Sequence, residues 1–427
     1  MKLFQRFYRA SFILFCFSSS LSLNAMVMDN RYFPWLPHVY NGTDHRHGSL
    51  SVDPFFITAS TAFVTSPSLQ KKNNGVGSRE YGYPNLQGTL NYSDLASALE
   101  LNGTTSPVPA QWQYLSDFSV DMPGTFEGQG FSVAGYVPVS NHFGFGGSLF
   151  FLRLVAQANL IPGETAKSKL NLTAAGNQAQ FNELTKEFEL LVNTQDGYWN
   201  QSGVSDIDLY IRAFDVREYV LWCRKLDTSV AAGLLIPTGV VSSNNHIGSV
   251  PFGGDGFWGA YFSPSIEVEL KEDWKVGFEC RIEKRFPKTV EHRICIANES
   301  NLFAPVVGPL YINPGVTAAF APYAALENFR EGLGLLFKYT YVVHGEDKFQ
   351  DQRIVQEPVA NFSNMKTNSE WAQEYGTLEL MYDLGFKHQG WSYKPLCTLT
   401  WDIPLNMLGS RGASQTTRVA VGLTVDF

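Results

Sequence analysis

The chain has 427 residues, of which 14% are aromatic and only 17% charged, against about 25% charged in a typical soluble domain. Its formal charge is −8, and setting aside Lys2, Arg6 and Arg9 of the N-terminal leader leaves 29 basic against 40 acidic residues. That balance argues against a nucleic-acid or anionic-surface partner, and no run reaches the ~18 consecutive apolar residues of a membrane-spanning helix.

The first 25 residues read as a secretory leader. A basic start is followed by the short apolar run Phe12-Ile13-Leu14-Phe15-Cys16-Phe17 and a Ser-rich stretch ending on Ala25, a pattern that is cleaved and does not anchor. Residues 26–48 are then expected to be a periplasmic lead-in. Within it, Asp44-His45-Arg46-His47 offers too few ligands for a metal site and reads as solvated chain.

Twelve strand-like segments follow, at about 49–64, 125–138, 143–157, 204–219, 228–240, 256–270, 275–286, 311–325, 332–344, 373–386, 391–403 and 415–427. Their connections alternate. Long ones fall near 65–124, 158–203, 241–255, 287–310, 345–372 and 404–414; short ones fall near 138–142, 220–227, 271–274, 326–331 and 387–390. A transmembrane barrel has this rhythm, with an even strand count, short periplasmic turns and longer outer loops. The fold expected is all-β: a single closed transmembrane antiparallel β-barrel of about 12 strands, residues 49–427, with long extracellular loops carrying short helices. Segment 92–101 has helical apolar spacing with a cap at Ser93, and 177–192 repeats the spacing with Phe181, Leu184, Phe188 and Leu191. Residues 65–124 are too long for a bare loop, which leaves a long outer loop and a lumen plug both open.

Alternation sets the facing, because successive strand side chains point to opposite sides. In the seventh strand Val276, Phe278, Cys280 and Ile282 point one way; Lys275, Glu279, Arg281, Glu283 and Arg285 point the other. So dense a charged row must face a lumen, since a midplane Arg or Lys on the lipid side costs about 2–4 kcal/mol. By the same reasoning Asp206, Asp208, Arg212, Lys338, Glu379, Asp383 and Lys394 line the lumen, and His344 joins them. Five successive bulky apolar residues, Phe150 to Leu154, break the parity of the third strand and predict a bulge there. Pro237, Pro264, Pro314, Pro322 and Pro395 cannot donate to a ladder; they predict bulges, or gaps in the wall. Cys223, Cys280, Cys295 and Cys397 match no zinc spacing, and a disulfide through Cys295 stays open. No cofactor or metal motif is present.

The last strand ends TTRVAVGLTVDF, with Leu423, Val425 and Phe427 on its apolar side. A terminal Phe completing that row resembles the closing strand of bacterial outer-membrane barrels. The resemblance implies an ending read by the barrel-assembly machinery. The runs SDIDLYIRAFDV (205–216) and TSVAAGLLIPTG (228–239), the second closing on Pro237-Thr238-Gly239, resemble paired strands of outer-membrane transporters for aromatic and fatty compounds, relatives of the long-chain fatty-acid channels. A Gram-negative outer membrane, with lipid bilayer and lipopolysaccharide as surroundings and a small solute as cargo, is what that likeness implies.

The expected function is passive passage of small solutes through a charge-lined lumen, with opposed charges tuning selectivity, and no enzymatic activity. Two alternatives remain. One is a structural or adhesive barrel with a sealed lumen and binding loops. The other is an outer-membrane hydrolase using carboxylates spaced by two, such as Asp206/Asp208 or Glu267/Glu269, although no Gly-x-Ser-x-Gly elbow is found.

Overall fold

A computed structural model of the chain describes residues 28–35, 47–64, 79–103, 119–159, 161–162, scattered positions from 179 to 193, 197–219, 223–271, 273–386 and 393–427. The leader, residues 44–46 and the predicted stripe Phe181, Leu184, Phe188 and Leu191 lie outside them, although positions 179, 182, 183, 186, 189 and 190 are helical.

The chain folds as a closed, twelve-stranded antiparallel barrel. Its strands are β1 (Ser49–Ala59), β2 (Gly124–Pro138), β3 (Phe143–Ala158), β4 (Tyr198–Val204 continued by Ile207–Glu218), β5 (Lys225–Ile236), β6 (Gly259–Lys271), β7 (Trp274–Arg285), β8 (Val316–Arg330), β9 (Leu333–His344), β10 (Trp371–Asp383), β11 (Lys394–Leu405) and β12 (Thr417–Asp426). Closure is by β12 on β1, from Ser49↔Asp426 to Thr58↔Thr417. Among the described residues the ring is continuous, and only Tyr198–Val204, the first part of β4, has a ladder on one side alone, with β3; closure keeps the ladder groups of the ring from facing hydrocarbon.

Facing follows the alternation. Val419, Val421 and Leu423 are exposed on β12 while Arg418 and Ala420 are buried; Leu335 and Phe337 are exposed on β9 while Lys338, Thr340 and His344 are buried. An apolar surface outside and a charged one inside is the inverse of a globular domain and fits a wall wetted by lipid.

Glycines make room for inward tyrosines. Gly146, Gly233 and Gly277 each stand directly opposite a tyrosine on the next strand (Tyr210, Tyr261 and Tyr323). A Cβ on Gly146 would lie 2.2 Å from the Tyr210 ring. Gly146→Val should therefore cost about 1–3 kcal/mol by overpacking, read as a lower urea midpoint for the purified barrel; an unchanged midpoint would mean the ring is free to swing away.

Several expectations need correction. The predicted bulge at Phe150–Leu154 does not exist: β3 keeps unbroken register with β2 from Gly124↔Ala158 to Pro138↔Gly144. Phe150, Leu152 and Leu154 face inward, each at 0% exposure, because one half of the lumen is itself apolar. The irregularity lies on β4, which breaks at Ser205-Asp206; there the Ser205 hydroxyl accepts from the Phe150 amide. The prolines do not make bulges either. Pairing lapses for two residues at Pro264 (β6 with β7) and at Pro322 (β8 with β9) with register unchanged, and the register shifts fall instead at Glu269/Lys271 and Leu326/Arg330.

The first strand stops at Ala59, and Ala62–Val64 joins a separate sheet with Arg79–Tyr81 and Ala413–Ser414. The eighth strand is 316–330 rather than 311–325, because Pro314 cannot donate. Tyr311–Asn313 instead belongs to a sheet of Lys288–Ile294, Val306–Asn313 and Lys348–Asp351. The turn after β8 shrinks to Glu331-Gly332, both at positive φ (46° and 88°), as two-residue hairpins demand. The helix Tyr92–Leu101, α1, is capped by Asn91, whose side chain accepts from the Ser93 amide, and not by Ser93. All four cysteines of the described chain are free.

The described parts of the long connections fold into a cap over one end of the barrel, with its own core of Phe257, Ile294, Leu310 and Met365. Arg293 stitches three connections together, donating to the carbonyls of Asn244 (2.5 Å), Ala304 (2.8 Å) and Asn193 (3.2 Å). Burial pulls its guanidinium down to about 10.

Candidate functional site: a plugged and charged lumen

The lumen is two-sided. The wall from the second part of β4 round to β12 carries ion pairs, whereas β1, β2 and the upper part of β3 carry aromatic and aliphatic side chains. Ten of the twelve residues expected to line the lumen are buried or half-buried on the inner side. Lys275, Glu279, Arg281, Glu283, Arg285, Lys338, Asp206, Asp208 and Arg212 are at most 7% exposed, and Glu379 is half-buried. Asp383, at the short-turn end, is half-buried and turns its carboxylate to the Gly385 amide. The Lys394 side chain lies outside the described residues.

Their pairing is specific. Arg285 reaches Asp206 (2.8 Å) and Glu283 (3.0 Å); Arg281 reaches Asp208 (3.1 Å) and the other Glu283 oxygen (3.2 Å). Tyr261 donates to Asp208 (2.7 Å), with the Arg281 guanidinium 3.4 Å above its ring. Asp206 also accepts from the Gly239 and Gly254 amides. Lys275 turns to Glu327 (2.7 Å) and Glu267 (3.6 Å). On the far wall Arg418 meets Asp402 (3.5 Å), which accepts from Thr377 (2.6 Å). With Asp206 and Asp208 each tied to an arginine, neither carboxylate is presented as a general base. Among the described residues no cluster of three His, Cys, Asp or Glu could hold a metal.

Residues 28–35, part of the segment read from the sequence as a periplasmic lead-in, pack inside the barrel. Met28, Phe33 and Trp35 are at most 2% exposed. Asp29 bonds His344 (2.8 Å) and Thr317 (2.7 Å) and stands 3.7 Å from Arg285. Burial alone would raise its carboxyl, but the His344 and Arg285 charges outweigh it and hold it below the ordinary carboxylate value. Asn30 donates to the carbonyls of Pro251 and Gly253, and Arg31 to that of Asn368. His344 in turn stacks on Trp371, with centroids 5.5 Å apart.

Phe33 enters the apolar half. It meets Phe126 (6.0 Å) and Phe150 (6.3 Å) edge-on and Phe252 (6.5 Å) at a tilt. From the long loop 65–124, Tyr83 completes this cluster against Phe126 (5.2 Å) and Tyr32 (6.3 Å). Above the segment, under the cap, lies a cavity of about 360 Å³ lined by Asp29, Arg31, Tyr32, Asp255, His292 and Trp371 among others. The signal for this plug was present in the sequence: five of the eight residues MDNRYFPW are apolar or aromatic, too many for a solvated leader of the barrel.

At the seam, Gly48 and Phe427 exchange backbone hydrogen bonds (3.0 and 2.8 Å). The Phe427 and Leu423 side chains are exposed outward and Val425 is half-buried.

Fold and surface pattern define a closed β-barrel with an apolar outer face and residues 28–35 packed in its lumen. No protein-family model matches the chain, and no curated protein matches it in sequence. Its backbone is similar to that of an outer-membrane channel from Pseudomonas putida F1, at 9% identity and a TM-score of 0.50 over 92% of this chain and 99% of that one. A FadL homologue from Pseudomonas aeruginosa (8% identity, TM-score 0.32, 89% of this chain and 90% of that one) and a mutant of the monoaromatic hydrocarbon channel TodX (9%, 0.34, 89% and 90%) overlap more loosely.

Proposed function

We propose that the protein is an outer-membrane channel for small solutes, held shut in this structure by its own segment 28–35. The observation that carries the reading is the attachment of that segment. None of its residues is in a strand ladder, and its deepest anchor is the Asp29 carboxylate on His344 and Arg285. Beside its side-chain contacts the segment accepts at the Arg31 carbonyl from the Ser414 amide (2.9 Å) and at the Tyr32 carbonyl from the Thr416 hydroxyl; a plug held by such separate bonds, outside the wall's ladders, can leave without opening the barrel. The bilayer, lipopolysaccharide and barrel-assembly machinery are the surroundings this reading requires, with Phe427 and Leu423 facing outward at the closing seam.

Single-channel recording in planar bilayers tests it. The complete chain should be closed for most of the record with brief openings, and a chain lacking residues 28–35 should conduct steadily. The deleted chain must first be shown to fold, by the heat-dependent gel shift of a closed barrel.

A second reading has its own support: Arg281, Arg285, Asp206, Asp208 and Glu283 are all paired and at most 5% exposed, which suits a sealed barrel whose outer cap binds a partner. A folded deletion variant that remains electrically silent decides for this second reading.

A further inference from the structure

Under the cap, three long connections and the plug meet around the cavity of about 360 Å³. Asn244 reaches it from the connection after β5, His292 from that after β7, Asp347 from that after β9, and Arg31 from the plug. Each of the four has one polar group tied down and another left over. Arg31 gives one guanidinium nitrogen to the Asn368 carbonyl (2.6 Å). Asp347 takes the Gly315 amide (2.7 Å) and His344 (3.0 Å) on a single oxygen, Oδ1. Asn244 gives its side-chain nitrogen to the Glu291 carbonyl (2.8 Å). His292 holds the Arg293 carbonyl through Nδ1 (2.9 Å), which makes Nδ1 the donor and a neutral Nε2 the acceptor. Among the described residues, Arg31 Nε and Nη2, Asp347 Oδ2, Asn244 Oδ1 and His292 Nε2 make no hydrogen bond. Side chains already fixed in place therefore offer donors and acceptors together.

The charges around the cavity favour neither sign. Asp29, Asp255 and Asp347 are offset by Arg31, Lys288 and His344. They are also interleaved, since Asp29 stands two residues from Arg31 and both Asp29 and Asp347 bond His344. An anion or a cation meets its own sign at once, and a zwitterion finds no separate poles. A hydrocarbon would strand the donors and acceptors unpaired. A hydroxyl both donates and accepts, so a neutral polyol matches the mixture. Trp371, Phe257 and Phe349 add apolar wall against which the C–H faces of a sugar ring can lie. We infer that this cavity, at the small end of the ~300–1,000 Å³ of ligand pockets, binds a neutral carbohydrate of about one or two rings between plug and cap. The site goes beyond the channel reading and does not need it, because a sealed barrel would carry it equally. A free sugar and the end ring of a longer glycan share this chemistry.

The test is saturation-transfer NMR on the complete chain in a detergent without sugar head groups. The probes are D-glucose, D-galactose, maltose and lactose. At least one should show transfer that saturates in the millimolar range. Gluconate and protonated glucosamine, the anionic and cationic relatives of glucose, should bind at least ~10-fold more weakly; this comparison needs no variant. Asn244→Leu and His292→Phe each remove an acceptor from the cavity, and each should weaken the sugar about tenfold. The heat-dependent gel shift shows that these chains have folded. Maltohexaose separates the sources: binding as tight as that of maltose marks a glycan end, and much weaker binding marks a free sugar, either of which supports the site. Transfer to none of the four sugars overturns the proposal, as does equal binding of gluconate or glucosamine. Folded Asn244→Leu and His292→Phe chains that bind as the natural chain does would overturn it too. A chain that binds sugar yet never conducts keeps the site and leaves the channel reading to fail alone.

Discussion

Arg285→Met should destabilise the folded barrel by about 3–5 kcal/mol, the range found when one partner of a buried ion pair is removed. The guanidinium is 1% exposed and serves Asp206, Glu283, Asp29 and the Phe257 carbonyl at once. Met keeps most of the volume, so the loss is electrostatic: three carboxylates remain inside the barrel without their shared cation. Lys should not rescue the site, because a single ammonium cannot span a fork that reaches Asp206 through one nitrogen and Glu283 through another. Space is tight as well; a Cβ on Gly254 would lie 2.2 Å from the guanidinium carbon. Urea unfolding in phospholipid vesicles, followed by tryptophan fluorescence, reads the loss. The double variant Arg285→Met with Asp206→Asn should lose less than the sum of the singles, since the second change removes a charge the first left unpaired. The same variant frees one anchor of Asp29, so the surviving folded fraction should conduct more than the natural chain. An Arg285→Met barrel that unfolds at the natural urea concentration would show the interior to be wet and its charges screened.

What could be read in advance was the facing of strands whose two sides differ in chemistry. On β7 the charged and apolar residues alternate from Lys275 to Glu283, with Gly277 the one uncharged residue on the charged side, and the structure follows them. On β3 both sides are apolar, because one meets hydrocarbon and the other meets the plug. Phe150, Leu152 and Leu154 therefore blurred the parity that Phe143 and Phe145 set up. Hydropathy does not distinguish lipid from a protein plug, and the same blindness hid residues 28–35. That segment's partners are hundreds of residues distant: Asp29 pairs with residues 285, 317 and 344. No local period carries such a contact. The strand limits that moved did so where the chain leaves the wall for the cap, at Ala59 and before Val316, since a ladder in the cap has the same alternation as one in the wall. Arg285 could be placed inside by parity, but only the fold could bring it to Asp206 rather than to another acid on the inner face.

The outer surface carries the second large effect. Leu378→Arg should cost about 2–4 kcal/mol in vesicles, the penalty for an arginine near the midplane of a barrel's lipid face. Leu378 is 40% exposed, and its partners across both ladders, Phe337 and Trp401, are also exposed, at 51% and 47%. It stands midway along β10, next to Thr377, which turns inward to Asp402; one residue along the strand separates hydrocarbon from the ion network. Leu270, 50% exposed at the short-turn end of β6, is the depth control, and Leu270→Arg should cost only about 0–1 kcal/mol because it lies near the interface. The contrast matters more than either value. An ordinary water-facing surface would tolerate both changes within about 0.5 kcal/mol, whereas a bilayer grades them by depth. Guanidinium unfolding into vesicles of defined acyl length measures both, and a thinner bilayer should shrink the Leu378→Arg penalty. Equal, small losses at the two positions would mean that water, not lipid, wets this wall, and with that the lumen would lose its claim to be the only polar path through the protein.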